Sequence, residues 1–78
     1  MPQYFRLGDN IARLRKKTGL TQDALGSRLG VTAQAVSKWE REIACPDVML
    51  LPALADLFGI TLDELFRGTA ADKFPLAK

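Results

Sequence analysis

The stretch TQDALGSRLGVTAQAVSKWE, residues 21–40, contains two short predicted helices joined by a tight turn. Thr21 suits the N-cap of the first helix, because its hydroxyl can accept from backbone N–H groups that the first turn leaves unpaired. Gly30 can adopt the left-handed conformation that ends a helix, and Thr32 is a second N-cap only two residues later. A connection of three or four residues is typical of a helix-turn-helix, so the stretch predicts this motif and, with it, a DNA-binding domain.

The second predicted helix has one apolar face. Val36 and Trp39 lie three residues apart, so they share the side that must be buried, and we interpret Trp39 as a core anchor rather than a base-stacking residue. Gly26 lies inside the first helix, where glycine is less favourable than alanine by about 1 kcal/mol. We therefore expect Gly26 to permit the close approach of two crossing helices.

These residues together resemble the phage-repressor and Cro-like helix-turn-helix family, also called the xenobiotic-response-element family. The resemblance extends from about residue 8 to residue 66, and its motif consists of Thr21, Gln22, Leu25, Gly30, Val31, Val36, Ser37, Trp39 and Glu40. It implies an all-α fold, a compact lambda-repressor-like bundle of five short helices in which helices 2 and 3 form the helix-turn-helix. We expect this domain to occupy residues 1–67 and a poorly structured C-terminal tail or linker to occupy residues 68–78.

The other three helices are predicted from apolar spacing and capping residues. The first runs from about residue 7 to residue 18. The fourth runs from about residue 50 to residue 58, with Pro52 in its first turn, where proline is harmless. A capping box of Thr61 and Glu64 opens a fifth helix that reaches about Phe66.

The composition excludes several classes of function. Seventy-eight residues allow one domain, and an apolar content of 47% is typical of a globular chain. The chain has no histidine and a single cysteine, Cys45, so we expect no metal, no cofactor and no enzymatic activity. No apolar run approaches the roughly 20 residues that span a membrane, and no leader pattern opens the chain, so we expect a cytoplasmic protein without membrane partners.

Charge is distributed unevenly along the chain. Up to Arg41 there are eight basic and three acidic residues, a net charge of +5, whereas from Glu42 onward three basic residues face six acidic ones, a net charge of −3. A basic first half is expected of a surface that meets phosphates.

The helix around residues 32–41 is the candidate reading helix, since a helix fits the major groove. Gln34 can donate to and accept from adenine, and Lys38 can donate to guanine or to a phosphate. Ala33 offers a methyl surface to thymine, and Ser37 offers a small hydroxyl. The resemblance implies that these four positions are the base-contacting set.

Backbone contacts are expected from residues around this helix. The candidates are Gln22, Lys16, Lys17, Thr32 and Arg41, and the resemblance implies that Gln22 binds a phosphate and can brace Gln34. Arg15 and Glu40 match a pair that forms a partly buried salt bridge in the family, which implies a structural role. Glu42 departs from the family pattern, because a glycine is expected there, and this puts the end of the third helix in doubt.

The resemblance implies a sequence-specific transcriptional regulator, most simply a repressor, that binds a palindromic operator as a homodimer. Leu62, Leu65 and Phe66 are the candidate dimer contacts, although they could equally close the core of a monomer. No small-molecule effector is expected within this chain. One alternative is a protein-interaction module that keeps the fold without DNA affinity, favoured by the acidic second half, and another is an antitoxin built on the same domain.

Overall fold

The computed structural model describes residues 6–68, which form five α-helices and contain no strand. The predicted tail lies outside the described residues from position 69 onward. A single 3₁₀ turn, Val48–Leu50, leads into the fourth helix. The helices are α1 (Leu7–Lys17), α2 (Gln22–Leu29), α3 (Ala33–Glu40), α4 (Leu51–Phe58) and α5 (Leu62–Arg67). The all-α prediction is confirmed, as is the helix-turn-helix of α2 and α3.

Three helices begin at a threonine whose hydroxyl accepts a backbone hydrogen bond. Thr21 accepts from the N–H of Ala24 at 3.0 Å, and Thr32 accepts from the N–H of Ala35 at 3.1 Å. Thr61 forms the predicted capping box. Its hydroxyl accepts from the backbone N–H of Glu64 at 3.0 Å, and the Glu64 carboxylate accepts from the backbone N–H of Thr61 at 3.1 Å. Such caps are worth about 1 kcal/mol each, and they fix where each helix starts.

The first four helices end with the same pair of backbone hydrogen bonds. In each, a left-handed residue one or two positions after the helix donates to the carbonyl three residues back, and the next residue donates to the carbonyl five residues back, which is a Schellman motif. Glycine takes the left-handed position after α1, α2 and α4. After α3 it is Glu42, with φ of 62°, whose N–H donates to the carbonyl of Trp39 at 3.0 Å while Ile43 donates to that of Lys38 at 2.9 Å. The α3 terminus therefore forms without the expected glycine.

The core lies where the five helices meet. Its buried members are Ile11, Leu14, Leu25, Val36, Trp39, Leu54 and Leu65. Burying a side chain of this size contributes about 1.5–3 kcal/mol, so these contacts supply most of the stability. Trp39 is 5% exposed, which confirms its assignment to the core.

Gly26 is where α2 presses against the turn that follows it. A Cβ at this position would lie 2.6 Å from the Val31 carbonyl oxygen and 3.1 Å from the carbonyl carbon of Thr32. The predicted close approach is present, and the neighbour is the backbone of the turn rather than a facing helix side chain. A side chain at this position would therefore require the backbone of the turn to shift.

Asn10 is a buried polar residue that sequence analysis did not single out. Its Nδ2 donates to the carbonyl oxygens of Leu65 and Phe66 at 2.9 and 3.0 Å, and its Oδ1 accepts from Arg13 at 2.9 Å. Asn10 therefore satisfies the last carbonyls of α5 and fixes that helix against α1. Asparagine on an apolar helix face is the only sequence signal for this role.

Candidate nucleic-acid interface

The outward face of α3 carries polar side chains at helical spacing. Gln34 and Lys38 are exposed four residues apart, and Arg41 follows one turn later on the same side. Ala33 is partly exposed beside them. Because Val36 and Trp39 hold the opposite face in the core, this outward stripe is free to meet a ligand along the length of the helix.

Ser37 and Arg41 are in contact at the C-terminal half of this face. The Nε of Arg41 donates to the hydroxyl of Ser37 at 3.2 Å and to its carbonyl oxygen at 3.4 Å. The Arg41 guanidinium is thereby held beside Ser37, the residue that precedes Lys38 in the chain. Two cationic groups consequently stand at this end of the stripe.

A polar network joins the ends of three helices. The Nε and Nη2 of Arg15 donate to the two carboxylate oxygens of Glu40 at 2.7 and 3.1 Å, and its Nη1 donates to the carbonyl oxygen of Leu20 at 2.9 Å. The two side chains are only 12% and 8% exposed. The hydrogen bond to Glu40 raises the pKa of Arg15 above its ordinary value, so the guanidinium stays charged. The salt bridge expected from the resemblance is thus present.

Gln22 belongs to this network. Its Nε2 donates to Glu40 at 3.1 Å. The brace between Gln22 and Gln34 stays a prediction. Gln22 is the first residue of α2 and is partly exposed. The network therefore places the N-terminus of α2 beside the last residue of α3 and the last turn of α1.

The remaining candidate backbone contacts lie around these helix ends. Lys16 and Lys17 are exposed in the last turn of α1, directly after Arg15. Thr32 is exposed and its hydroxyl is engaged as the N-cap of α3. The chain thus carries exposed cations in the last turn of α1 and exposed polar side chains on α3.

The loop after α3 differs in character from this basic surface. The Glu42 carboxylate accepts from the backbone N–H of Asp9 at 3.3 Å, at the N-terminus of α1, where Arg6 provides no side-chain cap. Ile43 is exposed, as are Val48 and Met49, the last by 78%. In accord with the sequence, this loop offers apolar rather than cationic side chains.

The predicted dimer contacts divide into two groups. Leu65 is fully buried in the core of this chain, which fits the alternative that it closes the core of a monomer. Leu62 is 44% exposed, and it lines a shallow apolar depression with Phe66 between the Asp63 and Arg67 side chains, which pair at 2.7 Å. Leu62 and Phe66 are therefore the two predicted dimer contacts that reach the protein surface.

Among residues 6–68, no helix has both the length and the apolar character that crossing a bilayer requires. Within the same residues, no three histidine, cysteine, aspartate or glutamate side chains are grouped so that they could hold a metal ion.

Comparison with known proteins connects this geometry to repressors. The chain is 37% identical over 62 residues to repressor protein C2 of Salmonella phage P22, covering 80% of this chain and 29% of that protein. A crystal structure of the P22 c2 repressor with a synthetic operator superposes with a TM-score of 0.74 and 36% identity, over 81% of this chain and 96% of that one.

Other relatives differ in length and role. An HTH-type transcriptional regulator of Sinorhizobium fredii, y4dJ, is 39% identical over 68 residues, which is 87% of this chain and 88% of that protein. The activator BcrR of Enterococcus faecalis is 35% identical over 60 residues, and the chain spans only 29% of its length. Hydroxypropylphosphonic acid epoxidase has a TM-score of 0.72 at 20% identity, which shows a shared fold alone.

The helix-turn-helix family profile matches residues 11–65, which is more than half of the chain. These residues include the reading face of α3, the Arg15–Glu40–Gln22 network and most of the core. The chain therefore belongs to the helix-turn-helix family whose members include the P22 repressor.

Proposed function

We propose that this chain binds double-stranded DNA sequence-specifically through the major groove and acts as a transcriptional regulator, most simply a repressor. The observation that carries the proposal is the outward face of α3, where Gln34 and Lys38 are exposed while Val36 and Trp39 anchor the opposite side. An α-helix fits the major groove, and side chains near its N-terminus reach base edges.

Each residue on this face has a role that its chemistry supports. Gln34 pairs with adenine, because its amide donates and accepts at once, and Lys38 donates to guanine or to a phosphate. Ala33 packs against a thymine methyl group. Ser37 contributes a hydroxyl beside them, and its contact with Arg41 brings that guanidinium to the same edge.

Phosphate contacts hold the reading helix in register. The proposed contacts are Gln22, Lys16, Lys17, Thr32 and Arg41. The net charge of +5 up to Arg41 supports this assignment, because neutralised phosphates release counterions and binding then weakens as salt rises.

The comparisons support DNA as the partner and leave the sign of regulation to experiment. The P22 c2 repressor was crystallised with an operator, and C2 is a repressor, which favours repression. BcrR is an activator. A reporter gene placed behind the selected site decides between the two. Cytoplasmic localisation is part of the proposal, since a regulator acts in the compartment that holds its DNA.

A homodimer on a palindromic operator is also proposed. The exposed Leu62 and the partly buried Phe66 form an apolar depression on α5 that a second copy can cover. Two α3 helices would then read half-sites about one DNA turn apart, about 34 Å. Light scattering of the free chain and of its DNA complex tests this, and a mass of one chain in both would contradict it.

A second candidate function is a protein-interaction module, including an antitoxin. The observation that favours it is the exposed apolar loop, where Ile43, Val48 and Met49 are 62–78% exposed. This candidate predicts no salt-sensitive binding to any duplex.

Selection of bound duplexes from a randomised pool, with sequencing of the retained DNA, tests the proposed function. The proposal predicts enrichment of a two-fold symmetric site, and Gln34→Ala should relax the preference at one position per half-site, at a cost of about 1–3 kcal/mol. No retention of any duplex at low salt would contradict DNA binding and favour the interaction module.

A further inference from the structure

Glu40 determines which way the amide of Gln22 faces. A carboxylate only accepts hydrogen bonds, so the group that faces Glu40 at 3.1 Å must be the Nε2 of Gln22 and not its oxygen. The amide is planar, so with one N–H committed to Glu40 the second N–H points away from it. Gln22 therefore presents one donor in a fixed direction.

Glu40 is itself held firmly. Its Oε1 accepts from both Gln22 and the Nη2 of Arg15, and its Oε2 accepts from the Nε of Arg15 at 2.7 Å. The Arg15 guanidinium is fixed in turn by the carbonyl of Leu20. With Glu40 only 8% exposed, water has little access to replace these bonds, so the acceptor for Gln22 is preorganised.

We propose that Glu40 is a positioning residue for the phosphate contact of Gln22, and that the Arg15–Glu40 pair therefore supports DNA affinity as well as folding. The inference rests on the proposed function.

Two variants separate the positioning role from the contact itself. Gln22→Met keeps the length of the side chain and removes the amide. The double variant Arg15→Met with Glu40→Leu replaces the ion pair by apolar side chains, a change that folded proteins often tolerate, and leaves Gln22 intact without its acceptor. Net charge stays at +2, because one cation and one anion are removed.

A matched control removes an ion pair elsewhere. Arg6→Met with Asp9→Leu deletes the exposed Arg6–Asp9 pair, at 3.3 Å, and with it the Asp9–Arg13 contact at 3.8 Å, at the other end of α1 with the same change in charge. Circular dichroism and thermal unfolding establish that each variant is folded.

Affinity is measured by fluorescence anisotropy on the selected duplex and on duplexes that carry one methylphosphonate in place of one phosphate. For the wild-type chain, one substitution per half-site should weaken binding about tenfold. Gln22→Met and the Arg15/Glu40 double variant should each bind the unmodified duplex about tenfold more weakly than the wild-type chain does. Replacing that phosphate by a methylphosphonate should not weaken their binding any further. The salt dependence should not change, since Gln22 is uncharged. The Arg6/Asp9 control should behave as the wild-type chain does.

The outcomes distinguish two failures. A wild-type chain that binds no duplex refutes the proposed function. Binding in which no phosphate depends on Gln22, or in which the Arg15/Glu40 double variant keeps the wild-type sensitivity at that phosphate, overturns the positioning role and leaves DNA binding intact.

A measurement on the wild-type chain alone keeps the inference testable if the double variant does not fold. In nuclear magnetic resonance spectra, one Nε2 proton of Gln22 should be protected from exchange in the free chain, and the other should become protected only on DNA. Two equally exposed protons in the free chain would overturn the role of Glu40.

Discussion

Glu42 allows two opposing contributions to stability to be measured at one position. Its backbone has φ of 62°, a left-handed conformation that costs a residue with a Cβ about 1–2 kcal/mol. Its carboxylate accepts from the Asp9 N–H at the positive end of α1. That bond is long, at 3.3 Å, and exposed, so with the helix dipole we assign it about 1 kcal/mol.

A comparison of the wild-type chain with two variants, Glu42→Ala and Glu42→Gly, separates the cost of the left-handed backbone from the contribution of the carboxylate. Glu42→Ala keeps the unfavourable backbone and loses the carboxylate, so it should be less stable than the wild-type chain by about 1 kcal/mol. Glu42→Gly loses the carboxylate and relieves the backbone, so it should be about as stable as the wild-type chain and about 1 kcal/mol more stable than the alanine variant. For a domain of this size, 1 kcal/mol corresponds to a shift of about 4–8 °C in Tm.

Thermal and urea unfolding, followed by circular dichroism, measure both differences. Equal stability of the alanine and glycine variants would show that residue 42 is not left-handed in solution. Equal stability of the alanine variant and the wild-type chain would show that the carboxylate does not cap α1. The first result would refute the assigned backbone cost, and the second would refute the assigned contribution of the carboxylate.

Three further predictions concern the fold that supports the site. Gly26→Ala should destabilise the chain in urea by about 1–3 kcal/mol, because its Cβ would meet the backbone oxygen of Val31, and any gain in stability would contradict this contact. Asn10→Ala should lower the free energy of unfolding by about 1–3 kcal/mol, because it leaves two carbonyls of α5 unpaired. Asn10→Asp has no amide donor, so it should recover none of this loss at neutral pH. A loss below about 0.5 kcal/mol in the alanine variant would count against the role of Asn10 in holding α5. Arg15→Met alone should cost about 3 kcal/mol by stranding the Glu40 carboxylate, and adding Glu40→Leu should restore most of the loss in the same assay. No recovery in the double variant would contradict that explanation.

The sequence predicted those features that depend on neighbouring residues. Thr21 and Thr61 cap helices because their hydroxyls reach N–H groups three residues along the chain, and Gly30 ends α2 through its own backbone freedom. The side of α3 that faces outward was predictable from Val36 and Trp39, because their spacing determines the buried face.

Features that depend on distant residues were not predictable in this way. Asn10 binds carbonyls more than fifty residues away, and Glu42 caps a helix that begins 35 residues earlier. Gln22 at the start of α2 donates to the carboxylate of Glu40 at the end of α3, eighteen residues away. These pairings depend on how the helices cross, which local spacing does not determine.

The most direct test of the central claim is to titrate the ¹⁵N-labelled chain with the selected duplex and to measure the changes in the chemical shifts of its backbone amides. We expect the largest changes on residues 33–38 of α3 and on Gln22 at the start of α2, with smaller changes at Lys16 and Lys17. Changes confined to the apolar loop, residues 43–49, would contradict it, because they would place the ligand on the surface that the interaction-module alternative uses.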